Sequence, residues 1–328
     1  MSTNPLLEVT HLRTEFATPN GTAKVVNNVS FQVPRGEIVG VVGETGCGKS
    51  VTIRSILGLV RPPGQVVGGH ARLAGTDLIG MRPKELRAVR GKRIGFVAQN
   101  PFSALNPVMR IERQFANIIA AHEGRASARR TTRERALQAL TAVGIAGPER
   151  VLRGYAHQLS GGMAQRVVIA MAMILDPELV IADEPTTGLD LTVQRQILDL
   201  IKSLVEDGHR SMLLVTHDLG VVAQYCSQVV VMYAGQVVES GPVTTVLRTP
   251  EHPYTAALLA AIPRRGRELV HLKGRLPDLV DYPRGCPFAD RCPKATDLCR
   301  TEAPQEQVVG SHTYRCHFPE GATADGVA

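Results

Sequence analysis

The chain has 328 residues, 44% hydrophobic and 20% charged, which is enough apolar material for one large core or two modest ones. Its longest apolar run, Val167 to Leu175, is stopped by Asp176 and Pro177, well short of the ~20 residues a bilayer-spanning helix needs. The opening MSTNPLLEVTHL lacks a basic stretch ahead of an apolar one, which excludes a secretory leader from the reading and makes a cytoplasmic protein the expectation. A net charge of +7 brings nucleic acid and anionic lipid into view as partners.

In chain order, Ile38 to Val42 (IVGVV) predicts a buried strand, and Ile53, Ile56, Leu57 and Val60 recur at helical spacing. Between them lies Gly43-Glu44-Thr45-Gly46-Cys47-Gly48-Lys49-Ser50, followed by Val51. Glycines at these positions let backbone N–H groups turn toward a phosphate chain, and the following helix presents its positive end. Lys49 would reach the β and γ phosphates, and the Ser50 hydroxyl would bind Mg²⁺. Cys47 reads as a loop filler rather than a reactive thiol.

Further strands are predicted at Ile94–Ala98, Leu179–Ala182, Met212–Thr216 and Gln228–Tyr233, the alternation of an α/β domain with a largely parallel sheet. From Asn106 to Arg166 strand signals vanish and helix formers dominate, which predicts a helical insertion. Much of the positive charge falls here, at Arg125, Arg129, Arg130, Arg133 and Arg135. A solvated helix face is the first reading of that run and an anionic lipid surface the second. Nucleic acid comes third, because no aromatic residues interleave with the arginines.

Leu159-Ser160-Gly161-Gly162-Met163-Ala164-Gln165-Arg166 opens a helix with Ser160 as its cap. A serine hydroxyl, two glycine N–H groups and a helix N-terminus also make a second phosphate-binding surface. Leu179 to Ala182 then delivers Asp183 and Glu184 at a strand end. Asp183 suits the Mg²⁺ shell, and Glu184 suits positioning the attacking water.

From about Pro250 the composition shifts: nine of the 21 prolines, Pro250 included, and four of the six cysteines lie from there onward. A small appended domain is expected there, opening with a helix at Tyr254–Ile262 and poor enough in apolar residues to need a metal staple. Cys286, Cys292, Cys299 and Cys316 are separated by five, six and sixteen residues. That spacing is looser than the usual zinc or ferredoxin patterns, and four thiolates suit either zinc or an iron–sulfur cluster. His312 and His317 flank Cys316 as bystanders, and the tail 321–328 is expected to be disordered.

The phosphate loop, LSGGMAQR and IADEPTTGLD, in this order and spacing, resemble the nucleotide-binding domain of ABC transporters over about residues 7 to 250. The resemblance implies a P-loop NTPase fold: a mostly parallel sheet core with antiparallel β and helical subdomains. The cassette would span 1–255, its helical subdomain about 106–166, and a regulatory, cysteine-rich extension 256–328. It implies an ATPase that pairs head to tail, with Ser160, Gly161 and Gly162 of one cassette capping the γ-phosphate bound by Lys49 of the other. Gln99 resembles the glutamine that touches Mg²⁺ and senses the membrane partner. Asp190 resembles the aspartate of the loop crossing the dimer interface, and His217 the histidine on the γ-phosphate. Phe16, 27 residues ahead of the loop, is the adenine-stacking candidate.

Ser103-Ala104-Leu105-Asn106-Pro107, His252-Pro253-Tyr254-Thr255 and the terminal cysteines are similar to the dipeptide, oligopeptide and nickel importer branch. Members often carry Asp where Asn100 stands here and an aromatic where Ala98 stands. On the same resemblance a 4Fe–4S cluster is preferred to zinc at the four cysteines, with a metal-free structural role third. The implied partners are two integral membrane permeases, a second ATPase subunit (another chain or a second copy) and an extracytoplasmic binding protein. The implied place is the cytoplasmic face of the inner membrane. The competing class is a soluble ABC-type ATPase acting on nucleic acid, which generally carries a long coiled-coil insertion or two cassettes; neither is present.

Overall fold

The structure, a computed structural model, describes residues 4–206, 210–262 and 272–321. In chain order the strands are β1 (Leu7–Thr18), β2 (Gly21–Val33), β3 (Ile38–Val42), β4 (Gly64–Leu73), β5 (Thr76–Asp77), β6 (Ile94–Val97), β7 (Leu179–Asp183), β8 (Ser211–Val215), β9 (Gln228–Tyr233), β10 (Gln236–Pro242), β11 (Gln307–Val309) and β12 (His312–Tyr314). The chain divides into two compact units.

The first unit comprises Met1–Pro34, Ile38–Gly80 and Thr216–Ala328. It holds an antiparallel sheet in the order β2-β1-β4-β5. A Pro19-Asn20 turn joins β1 to β2, with Thr18 paired to Gly21. It also holds the run β11-β12-β10-β9-β3, in which β3 and β9 are parallel and the rest antiparallel. Every residue of β3 is buried, as a strand covered on both faces requires, and its sequence shows no polar alternation. The helix α1 (Lys49–Ile56) follows the phosphate loop, and a buried Thr14–Ser55 hydroxyl pair at 2.7 Å ties it to β1.

The C-terminal segment belongs to this same unit. Tyr233, Tyr254 and Phe288, all buried, form an aromatic cluster with centroids 4.6–5.4 Å apart. Glu239 of β10, fully buried, accepts hydrogen bonds from the backbone N–H groups of Glu251 (2.7 Å) and His252 (3.0 Å) and pairs with His312 Nε2 (2.7 Å). Aromatic packing, a shared carboxylate and strand pairing therefore hold the segment. The helix predicted at Tyr254–Ile262 is observed at Pro253–Ala260, capped by His252 Nδ1 accepting from the Tyr254 N–H.

The second unit comprises Arg35–Glu37 and Met81–Val215, with β6, β7 and β8 all parallel. Between β6 and β7 the described residues hold helices and no strand: α2 (Ile111–Glu123), α3 (Arg125–Ala142) and α4 (Gly161–Met173), besides shorter turns. Ile111, Phe115 and Ile119 are buried on α2, and Ala128, Thr132, Ala136 and Leu140 on α3, each set at helical four-residue spacing. Helices fill this stretch of the second unit. Its basic run lies on α3, where Arg135 bonds Glu123 at 2.8 Å and Arg133 lies 3.9 Å from Glu112. After β7 the chain enters α5 (Leu191–Glu206). No helix among the described residues is long and apolar enough to cross a membrane.

Candidate nucleotide site

In the first unit β3 runs straight into the phosphate loop, whose Gly43, Gly46 and Gly48 have φ of 151°, 86° and 105°. These values lie in the region that disfavours side chains. A Cβ on Gly43 would sit 2.2 Å from the Met232 carbonyl oxygen, and one on Gly48 2.6 Å from that of Val25. The loop is therefore wrapped by backbone and admits glycine alone at those two points. Lys49, 5% exposed, donates from Nζ to the Gly43 oxygen at 2.7 Å and to the Glu44 oxygen at 3.1 Å. Its ammonium is satisfied by loop carbonyls, which a phosphate oxygen can replace. Cys47 is buried under the same ammonium, and burial pushes its thiol above the ordinary range, as suits a packing residue.

His217 belongs to this unit as well, set after Thr216, whose N–H donates to Val41 of β3 at 3.1 Å. Asp218 beside it caps the helix Leu219–Tyr225. Phe16 lies on β1, half-buried, with its ring over Gly64, where a Cβ would come within 2.4 Å. Ser50 and Val51 begin α1.

In the second unit β7 is wholly buried and ends in Asp183, 5% exposed. Glu184 follows with φ of 45°, its N–H bonded to Val215 of β8 at 2.9 Å. Its Oε2 accepts from Gln99 Nε2 at 3.1 Å and from the Thr187 hydroxyl at 3.0 Å. The glutamine and glutamate singled out from sequence are therefore in contact. Thr187, quoted only as part of a motif, proves to be a partner of the same carboxylate.

Ser160 caps α4, its hydroxyl accepting from the Met163 N–H at 3.3 Å. Gly162 faces α5, where an added Cβ would lie 2.8 Å from Val193. Asp190 accepts from the N–H groups of Thr192 (3.1 Å) and Val193 (3.0 Å) and so opens α5.

The cysteine cluster departs from expectation. Cys286, Cys292, Cys299 and Cys316 do line one cavity, of about 10 Å³. Burial pushes Cys286 up to about 11 and Cys316 up to about 12, and raises Cys292. Among the described residues no group of three or more His, Cys, Asp or Glu side chains is set to hold a metal ion. The expected metal-binding domain, whether 4Fe–4S or zinc, is therefore not carried by this geometry. The staple was inferred from a shortage of apolar residues, and the aromatic cluster and Glu239 make up that shortage. The expected tail falls mostly outside the described residues, at 322–328.

Sequence reasoning missed two groups on the phosphate loop. The Glu44 N–H donates to the Tyr254 hydroxyl at 2.9 Å, and Arg291 forks onto the Glu44 carboxylate at 2.7 and 2.8 Å. Separations of 210 and 247 residues leave no local signal for either.

A glycine-only phosphate cradle on a buried parallel strand and a strand-end Asp-Glu pair define the class: a P-loop ATP-binding cassette. Residues 26–187 match the ABC transporter family, and residues 238–299 match the oligopeptide/dipeptide transporter C-terminal region. The chain is similar to the dipeptide transport ATP-binding protein DppD of Bacillus subtilis, with 43% identity over 95% of this chain and 94% of that one. The oligopeptide transport ATP-binding protein OppD of Salmonella typhimurium is 40% identical over 96% and 94%. A dimeric bacterial ABC transporter cassette, MJ0796, matches with a TM-score of 0.64 and 27% identity, covering 72% of this chain and 98% of that one. The chain belongs to the ABC transporter family of ATPases, on the branch whose members carry the oligopeptide/dipeptide C-terminal region.

Proposed function

We propose that this ATPase is the motor of a peptide importer, docked on the cytoplasmic face of the membrane against two permeases. A second ATPase subunit and an extracytoplasmic binding protein would complete the complex. The observation that carries the reading is one chain matching both the ABC transporter family and the oligopeptide/dipeptide transporter C-terminal region. Residues 1–255 serve as the cassette, 106–166 as its helical subdomain, and 256–328 as an extension.

Each site residue then has a task. Gly43 to Val51 wrap the phosphates with backbone N–H groups, and Lys49 leaves its carbonyls to meet the β and γ phosphates. Mg²⁺ would be held by Ser50, Gln99 and Asp183, a hard oxygen donor set that fits that ion. Glu184 takes the proton side of water attack, held in place meanwhile by Gln99 and Thr187. His217 contacts the γ-phosphate and Phe16 the adenine. Ser160, Gly161 and Gly162 close on the γ-phosphate of the paired cassette, with Asp190 in the loop that crosses to it. No step passes through a metal at the four cysteines.

The test is the reconstituted complex in vesicles. Binding protein loaded with di- or oligopeptides is expected to stimulate ATP hydrolysis and accumulate peptide inside. Stimulation by nickel chelates, glutathione or sugars, with none by peptides, would sink the choice of cargo.

A further inference from the structure

Among the described residues of the C-terminal segment, Arg291 is a tightly held cation. Its side chain is 5% exposed and lies over the rings of Tyr233 and Phe288 at 5.6 and 5.9 Å. Nε donates to the Lys273 carbonyl at 2.8 Å, and Nη1 reaches the Tyr233 hydroxyl at 3.2 Å. The two terminal nitrogens meet the two oxygens of Glu44, the parallel fork in which guanidinium and carboxylate match best. Glu44 is the second residue of the phosphate loop, and its own N–H is fixed by the Tyr254 hydroxyl. Tyr254 is fully buried, and burial raises its phenol, so that hydroxyl stays protonated.

Two consequences follow from the charges. A carboxylate at the mouth of a triphosphate site repels its ligand unless it is neutralised, and here it is neutralised by a cation that cannot swing away. The fork and the tyrosine also fix the loop where its backbone turns, at the residue whose carbonyl receives Lys49. Glu44 falls in the stretch that matches the ABC transporter family, while Tyr254 and Arg291 fall in the oligopeptide/dipeptide C-terminal stretch.

We infer that Arg291 is a positioning residue for ATP: through Glu44, the C-terminal segment sets the affinity of the phosphate loop for nucleotide. The inference rests on the reading of that loop as the ATP site. Arg291 touches no phosphate. It offsets the Glu44 charge and holds the loop entry in register, so its loss weakens nucleotide capture and spares the chemical step.

The experiment uses the assembled complex, with ATPase kinetics and binding of a fluorescent ATP analogue for wild type, Arg291→Ala, Arg291→Lys and Arg291→Ala/Glu44→Gln. Arg291→Ala is expected to raise KM and the analogue's Kd about tenfold, with kcat changed less than about twofold. Arg291→Lys keeps the stem over the two rings but loses the fork, and should fall between. The double variant removes the stranded carboxylate and should recover most of the affinity. Unchanged KM in Arg291→Lys and Arg291→Ala overturns the inference, and so does a double variant as weak as Arg291→Ala, which would show packing alone at work. Should Arg291→Ala not fold, Arg291→Lys decides by itself. A wild-type complex that binds no analogue would defeat the ATP-site reading, a result distinct from either of these.

Discussion

Lys49 in the first unit and Glu184 in the second, the two charges to which the proposed function gives the largest tasks, are held by opposite means. Lys49 is deeply buried and rests on carbonyls five and six residues away, in a loop whose glycines are dictated by surrounding backbone. Glu184 is only half-buried and is held by side chains, one of them Gln99, 85 residues earlier. The cation's place is written into a few contiguous residues. The carboxylate's place depends on three strands in register, Val97 of β6 beside Ala182 of β7 and Asp183 of β7 beside Val215 of β8. Position by local backbone is stiff; position by distant side chains can be released.

The contrast can be broken most directly at Glu184. Glu184→Gln keeps the shape and most of the hydrogen bonding but loses the base, so turnover should fall about 10²–10⁴-fold while ATP binding survives. Single-turnover hydrolysis and filter binding on one preparation measure both, and near-normal turnover would remove the role given to this carboxylate. Lys49→Ala should act on the other quantity, weakening nucleotide binding about 10–100-fold through the loss of charge-assisted bonds. Calorimetry checks it, and a large turnover defect at saturating ATP with unchanged affinity would erase the division of labour. The smallest effect is expected at Thr187→Val, which takes one hydrogen bond from Glu184 and leaves that from Gln99. A loss of turnover of about 2–10-fold with unchanged affinity would show the carboxylate held by shared partners. No change at all would assign its position to Gln99 and the backbone.

Legibility followed the same division. The buried strand β3, the loop and α1 were readable because an unbroken apolar run, glycines and a helical repeat lie side by side. Ahead of β7 the sequence shows helix formers and no strand signals, and the elements described there are helices. The antiparallel sheet β2-β1-β4-β5 was implied only by the resemblance, and its strands were not placed from the residues, since register shifts near Val9, Leu12 and Thr14 interrupt the alternation that marks a strand. The C-terminal segment was misjudged for a different reason. Its own stretch is poor in apolar residues, and the partners that complete it, Tyr233 and Glu239, precede it on β9 and β10. Arg291 left no trace at all, because a solitary arginine in a proline-rich stretch has no periodicity to betray its partner.

The carboxylate of Glu239 has a bearing on how far the chain can be shortened. Trimming the β11–β12 hairpin, on the view that a terminal appendage is dispensable, would withdraw His312 from an anion sealed off from solvent. The same cut would bare the margin of β10, an open row of backbone donors and acceptors ready to recruit a neighbouring molecule. A minimal cassette built by deleting this hairpin is thus an invitation to aggregation, and the motor is better dissected by point substitution than by scissors.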